Sequence, residues 1–338
     1  MKSAKKKTPI GRRILLILII LVIFLFTKKI SLNEKITIES GESVSKILNQ
    51  LGTIEKFRMK IYIKTHHIDF SKLEPGNYQF NGKYSKAGFV EKILKGSEKD
   101  YLRLTLLEGR SIYDIDDALT KKGYITGGEY IAFVSDPNII IKYQVRYPFL
   151  NNSELGIMNY KLKTLEGFLY PDTYQVDKTK NIIDQLVYVQ LETFNTRVRS
   201  KVSSPSDWYK DIILASILEK EERNIKNKPT VAGIFLKRLE IGMALDADIT
   251  LCYGLKTSYT SCTPAVIGQN ISDKTNIYNT RQVRGLPPTP ISNPTRESIN
   301  AVLNPQTSDY LYYLHDMQGN IHYGRTLDEH NANKSKYL

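Results

Sequence analysis

Apolar positions change their spacing several times along the chain. Ile14 to Phe26 is an unbroken apolar run. Residues 35–39 alternate like a short strand. After a Gly-Glu-Ser turn, Val44, Ile47 and Leu51 recur at helical spacing, with Ser43 placed to cap. Leu73 to Phe80 reads as a turn entering a strand, Lys86 to Leu94 as a helix, and Tyr101 to Leu106 as a strand. Leu107 to Gly123 repeats the turn-and-helix theme, which suggests two small related modules within 35–125. Residues 126–165 look helical and loop-rich. Helical patterns then run over 181–203, 207–226 and 228–241. Beyond Gly242 the chain is mostly loop, including Gly285 to Pro294. A closing strand pair is predicted at Tyr310–Asp316 and Ile321–Gly324 around a turn at Gln318-Gly319-Asn320. The fold class expected is α+β: a single membrane helix (13–30) behind a basic tail (1–12), small module(s) over 35–125, and a larger domain over 126–338.

One helix carries an anomaly. In Ile213 to Asn224, ILASILEKEERN, an apolar run ends in three carboxylates within four positions. Each helical residue turns by about 100°. With Leu214 at zero, Ile217, Leu218 and Ile225 fall within about 60° of it, and Glu221 falls about 20° away, inside the apolar stripe. Glu219 and Glu222 are expected at the edges or beyond. A carboxyl on an apolar face is desolvated, which raises its pKa and suits it to donate a proton near neutral pH. The alternative from periodicity alone is a helix-end acid that reaches water.

Charge sharpens the picture at the N-terminus. The net charge is +13, of which residues 1–35 hold +8. The remaining +5 is ordinary for a body of this size, so a nucleic-acid partner is not expected. Six basic residues precede the apolar run, and Lys28 and Lys29 follow it with no small-residue cleavage site. Snorkelling bases lengthen a short span. An inner-membrane anchor with its N-terminus in the cytoplasm and the body outside is expected, a cleaved signal being the alternative.

The two cysteines, Cys252 and Cys262, are open to pairing in an oxidising exterior or to remaining buried thiols. Neither metal-ligand spacing nor a P-loop is present, and no cofactor is expected. Polar loops offer the rest of a site: Asp246, Asp248 and Thr250 in one, Tyr278, Asn279 and Thr280 in the other, with His322, His330 and Asn331 near the end. No serine or cysteine is placed as a nucleophile beside a histidine.

ILASILEKEE, FLKRLEIGMALDAD, YNT, GLPP and PISNP, together with GNYQF, LEGRS, EGFLYPDTY and the closing HYGRT, resemble the YceG-like family of endolytic murein transglycosylases in the right order over most of the chain. The resemblance implies a LysM-like module after the anchor and a catalytic acid at Glu221. It also implies cleavage of the MurNAc-β-1,4-GlcNAc bond within nascent glycan strands to 1,6-anhydroMurNAc ends, with peptidoglycan synthases as partners. Asp248, Thr250, Tyr278, Asn279 and Thr280 are assigned to glycan binding or to orienting Glu221. Two positions depart from the family pattern: Glu222, where many relatives have a small residue, and Ile249, where a proline is common. The competing readings are a two-carboxylate hydrolase, with Asp246 or Asp248 activating water, and a non-catalytic wall-binding or division scaffold.

Overall fold

The computed structural model describes residues 27–338 except 40–41, 72, 74–75, 97–100, 157–161 and 202–207. The basic tail, the apolar run and most of the expected anchor therefore lie outside the described residues. No described helix is long and apolar enough to cross a membrane. Ile30, the last residue of the expected anchor, already begins a strand. The chain divides into two compact units between Tyr101 and Leu102.

In the first unit, β1 (Ile30–Ile38) and β2 (Gly76–Tyr84) pair antiparallel, with Ile36 opposite Tyr78 and Ile38 opposite Gly76. The strand period of two sends Ile30, Leu32, Ile36 and Ile38 inward while Ser31, Asn33, Lys35 and Thr37 face out. Between the strands come α1 (Ser45–Asn49) and α2 (Thr53–Thr65), and α3 (Lys86–Leu94) follows. Ser85 caps α3 by accepting from the Gly88 amide. Ile47, Met59, Phe80 and Phe89 close a core of this unit alone, with the last two rings stacked at 5.1 Å.

The second unit begins sooner than the hydrophobic pattern implied. β3 (Tyr101–Thr105) pairs with β4 (Thr173–Asp177), and α4 (Ile112–Lys121) packs into the large core. The turn-and-helix theme at Leu107–Gly123 is thus no second small module. Local spacing showed the strand and the helix but not the strand's partner, β4, which comes more than 60 residues later. The N-terminus of α4 carries a capping box: Asp114 Oδ2 accepts from the Ser111 amide at 2.9 Å while Ser111 Oγ accepts from the Asp114 amide at 3.2 Å. Helices α5 (Glu129–Ser135), α6 (Pro137–Arg146) and α7 (Ile182–Arg197) build outward from it.

At the centre runs α8 (Trp208–Glu221), in which every residue from Ile212 to Glu219 is buried. It packs against α9 (Lys228–Glu240) and α12 (Arg296–Leu303). Between these lie α10 (Asp248–Gly254) and α11 (Pro264–Asn270), and the hairpin β5 (Tyr312–His315) and β6 (Ile321–Gly324) precedes α13 (Leu327–Tyr337). A helix buried all round has no single apolar stripe. That is why the helical wheel misplaces two of the three acids. The helix also ends at Glu221, and Ile225, counted in the stripe, lies beyond it and is exposed.

Candidate active site

The three acids at the end of α8 have three separate fates. Glu219 is buried. Its Oε1 receives Lys228 Nζ at 3.0 Å, and its Oε2 accepts from the Thr295 amide at 2.8 Å and from the Thr295 and Ser298 hydroxyls at 2.6 and 2.7 Å. Burial pushes its pKa up, but the Lys228 charge and these donors outweigh it and hold the carboxyl below the usual range. Glu222, only 2% exposed, lies 3.0 Å from His315 Nε2 and accepts from the Asn224 amide at 2.6 Å. Both acids were expected at the helix edge; both are instead tied into the structure.

Glu221 is the least committed of the three. It is half-buried at the last residue of α8, where the helix dipole disfavours negative charge. Tyr313 on β5 donates its hydroxyl to Oε2 at 3.1 Å. Burial raises the pKa of Glu221, the Tyr313 hydrogen bond opposes that, the Asp248 charge raises it further, and His315 and Arg238 pull it down. The net direction is upward, as the desolvation argument expects. A carboxyl so placed can hold a proton near neutrality and take one back.

Its surroundings come from well-separated parts of the chain. Arg238 on α9 is buried, donating from Nε to the Leu311 carbonyl and from NH1 to the Leu245 carbonyl, both at 2.7 Å. It thereby links the residue before β5 to the segment leading into α10. Arg281 binds Asp246 at 2.9 Å and also contacts Asp248. Asp246 takes a positive φ of 60° at the bend of that loop.

The other candidate binding residues lie deeper. Thr250 and Thr280 are 0% and 2% exposed and share a hydroxyl contact at 2.9 Å. The Ala247 carbonyl accepts from both hydroxyls, and Thr280 Oγ1 accepts from the Ala247 amide. Asn279, also fully buried, donates to the Ile271 and Asp273 carbonyls at 3.1 and 3.0 Å. Thr250 and Thr280 thus fix the Asp246-Ala247 bend that leads into α10, whereas Asn279 ties its own turn to the 271–273 segment. Tyr278 bonds Thr289 at 2.9 Å and packs on Tyr253 at 5.1 Å, lining a separate cavity of about 150 Å3. Of the five residues, then, only Asp248 acts electrostatically on Glu221. His322 engages Asp316 at 2.9 Å, and His330 stacks on Tyr312. Asn331 is exposed.

Tyr313, His315, Arg238 and Arg281 were not singled out in the sequence. Arg281 adjoins the Asn279-Thr280 pair, which was the one available signal for it. The first two lie in a strand recognised only by its alternation.

Several of the quoted motifs meet at Asn293 of PISNP. Its Oδ1 accepts from the Gly167 and Leu169 amides at 2.8 and 3.0 Å, and its Nδ2 donates to the Arg110 carbonyl and to Glu166 Oε1. Glu166 is fully buried and also accepts from the Ile112 amide at 2.8 Å. Burial drives its pKa to about 8. Gly109 of LEGRS has φ +66°, and a Cβ there would come within 3.1 Å of Lys220 and 3.3 Å of Glu219. Gly167 has φ +93°, and a Cβ would sit 2.6 Å from Pro290. LEGRS, EGFLY and PISNP thus clamp the middle and end of α8. Cys252 and Cys262 form a disulfide, with Cα atoms 5.9 Å apart, which resolves the alternative left by the sequence.

An α+β core thus holds, at the tip of a buried helix, a carboxyl bonded by the Tyr313 hydroxyl and raised in pKa by burial. Comparison with known proteins identifies the molecule further: the profile of the YceG-like family matches residues 36–336, and the chain belongs to that family. It is 26% identical over 311 residues to the endolytic murein transglycosylase of Bacillus subtilis (strain 168), covering 90% of this chain and 84% of that protein. The endolytic murein transglycosylase of Streptococcus pneumoniae (strain D39) is 24% identical over 325 residues, with 89% of this chain and 58% of that protein covered. A crystal structure of a yceG-like protein from Listeria monocytogenes superposes with a TM-score of 0.57 at 27% identity, over 89% of this chain and 99% of that one.

Proposed function

We propose that this protein is an endolytic peptidoglycan lytic transglycosylase, with Glu221 as its acid and base. Glu221 protonates the oxygen of the MurNAc-β-1,4-GlcNAc bond. The muramyl C6 hydroxyl attacks its own anomeric carbon as that bond breaks, and ionised Glu221 takes the hydroxyl proton. The products are a new GlcNAc 4-hydroxyl and a 1,6-anhydroMurNAc end. No water is consumed, so no second carboxylate has to activate one, unlike ordinary glycoside hydrolysis. One observation carries the reading: of the three acids ending α8, Glu221 alone is left without a buried partner network, and its pKa is raised. Arg281 engages Asp246 and Asp248, which argues against either as a free base in the two-carboxylate alternative.

Asp248 and Tyr313 tune Glu221, while Thr250 and Thr280 hold the bend before Asp248 and Asn279 braces the neighbouring 271–273 segment. Tyr278 supports the same region from behind. The strand–helix–helix–strand order of the first unit supports a LysM-like module. The basic-flanked apolar run supports a single-pass anchor in the cytoplasmic membrane with the catalytic domain outside, and the disulfide fits an oxidising exterior. Such a tether suits action on nascent strands, close to the synthases that make them and ending their elongation. Mass spectrometry of digested peptidoglycan tests the reaction. Anhydro ends are expected from the wild type and none from Glu221→Gln, which should still fold. Reducing ends bearing added water, or undiminished cutting by Glu221→Gln, refute it.

A further inference from the structure

A groove opens beside the end of α8. It has a volume of about 750 Å3 and is bounded by residues after β3, residues before β4, and Glu219, Lys220 and Arg223. That size lies within the range of about 300–1,000 Å3 for ligand clefts. We propose that it receives the acidic peptide carried by the glycan, and that Lys220 and Arg223 meet the peptide carboxylates. The proposal rests on the glycan reading above and adds the second half of the substrate.

Four cations line the groove: Arg110, Arg197, Lys220 and Arg223. Two are engaged, Arg110 with Asp114 at 3.5 Å and Arg197 with Asp172 at 2.5 Å. Among the described residues no ion pair engages Lys220 or Arg223. The adjoining Glu219 offers Lys220 no relief, because Lys228, Thr295 and Ser298 occupy it. The Lys220 ammonium is nevertheless held in place, 4.3 Å over the Tyr259 ring. That ring is itself pinned by its hydroxyl, which donates to the Ile291 carbonyl at 2.5 Å. Burial pushes the Lys220 pKa down; the Asp114 charge opposes this, and Arg110 and Arg223 push it further down. An incoming carboxylate would relieve that crowding.

The lining favours a peptide over a phosphate. Glu108 and Asp172 share the wall with the cations, and Leu106, Leu107 and Pro171 add apolar surface. A wall of both signs complements a chain with carboxylates, an amine and methyl groups, and repels the dense charge of a phosphodiester. Position supports the same choice. Lys220 and Glu221 are consecutive, with Cα atoms about 3.8 Å apart and side chains about 100° apart around the helix. A sugar at the acid and its substituent in the groove then straddle a single helix end.

The test uses the purified full chain carrying Glu221→Gln, so that ligand is not consumed. Two probes are titrated by calorimetry: the GlcNAc–MurNAc disaccharide, and the same disaccharide bearing its tetrapeptide. The peptide-bearing probe should bind about tenfold more tightly at low salt, as a charge-assisted contact implies. Adding Arg223→Gln, or separately Lys220→Gln, should remove most of that preference, and so should 0.5 M salt. Equal binding of the two probes, no binding of the peptide-bearing probe, or a preference that survives both substitutions overturns the proposal. None of these results touches the glycosidic reaction, which is judged by the digest alone: it fails if the wild type leaves reducing rather than anhydro ends, or if Glu221→Gln cuts undiminished.

Discussion

The Tyr313 hydroxyl meets Glu221 Oε2 at 3.1 Å from a strand 92 residues later in the chain. Its hydrogen bond favours the ionised carboxyl, whereas the Asp248 charge favours the protonated one. The two neighbours therefore pull the same proton in opposite directions. Tyr313→Phe should raise the pKa of Glu221 and move the alkaline limb of the pH–rate profile upward by up to about one unit. Asp248→Asn should move it downward. Profiles of kcat/KM for both variants check the pair of signs, and shifts in the same direction would refute the assignment.

Glu219 should matter to stability more than to proton transfer. Removing one partner of its buried pair with Lys228 is expected to cost about 3–5 kcal/mol. Urea unfolding of Glu219→Gln and Lys228→Met measures it. The pH sign follows from its depressed folded pKa. Its contribution is present above the unfolded carboxyl pKa of about 4.5 and is lost as pH falls through the lower folded value.

Glu166 carries the opposite sign. Its folded pKa of about 8 lies above the ordinary 4.5. The folded state binds the extra proton, so the stability it contributes is complete below about 4.5 and disappears as pH rises through about 8. Unfolding measured from pH 5 to 8.5 should show this decline, and Glu166→Gln should flatten it. An unchanged slope in that variant would assign the dependence to other groups.

The Cys252–Cys262 disulfide closes a short loop beginning in α10. Replacing both cysteines with serine should lower stability by about 2–3 kcal/mol, as expected for a loop of this size. Thermal unfolding with and without reductant checks it: reductant should lower the wild-type melting temperature and leave that of the double variant unchanged.

Local elements were legible where short-range chemistry sets them. The Lys86–Leu94 helix and the closing hairpin arise from spacing and turn residues next to each other in the chain. The unit boundary was not, because β3 finds its partner in β4 far along the sequence. Glu221 was singled out by a stripe that does not exist as drawn: the middle of α8 is enclosed on all sides and Ile225 lies outside it. The desolvation argument survives because the end of a buried helix is itself a poorly hydrated place. Thr250, Asn279 and Thr280 look like polar loop residues in sequence, yet Thr250 lies in α10, and all three turn inward to satisfy buried groups around them. Arg238 and Tyr313 went unnoticed because only the tertiary fold brings them near the helix end.

The enclosure of α8 has a consequence for how this protein can vary. A segment packed from every direction has no idle surface on which substitutions accumulate at little cost. Adjustments to the reactivity of its terminal acid must come from the pieces laid against it, chiefly the hairpin bearing Tyr313 and the start of α10 bearing Asp248. Relatives should therefore differ in pH range mainly through those two borders while the helix between them stays much the same.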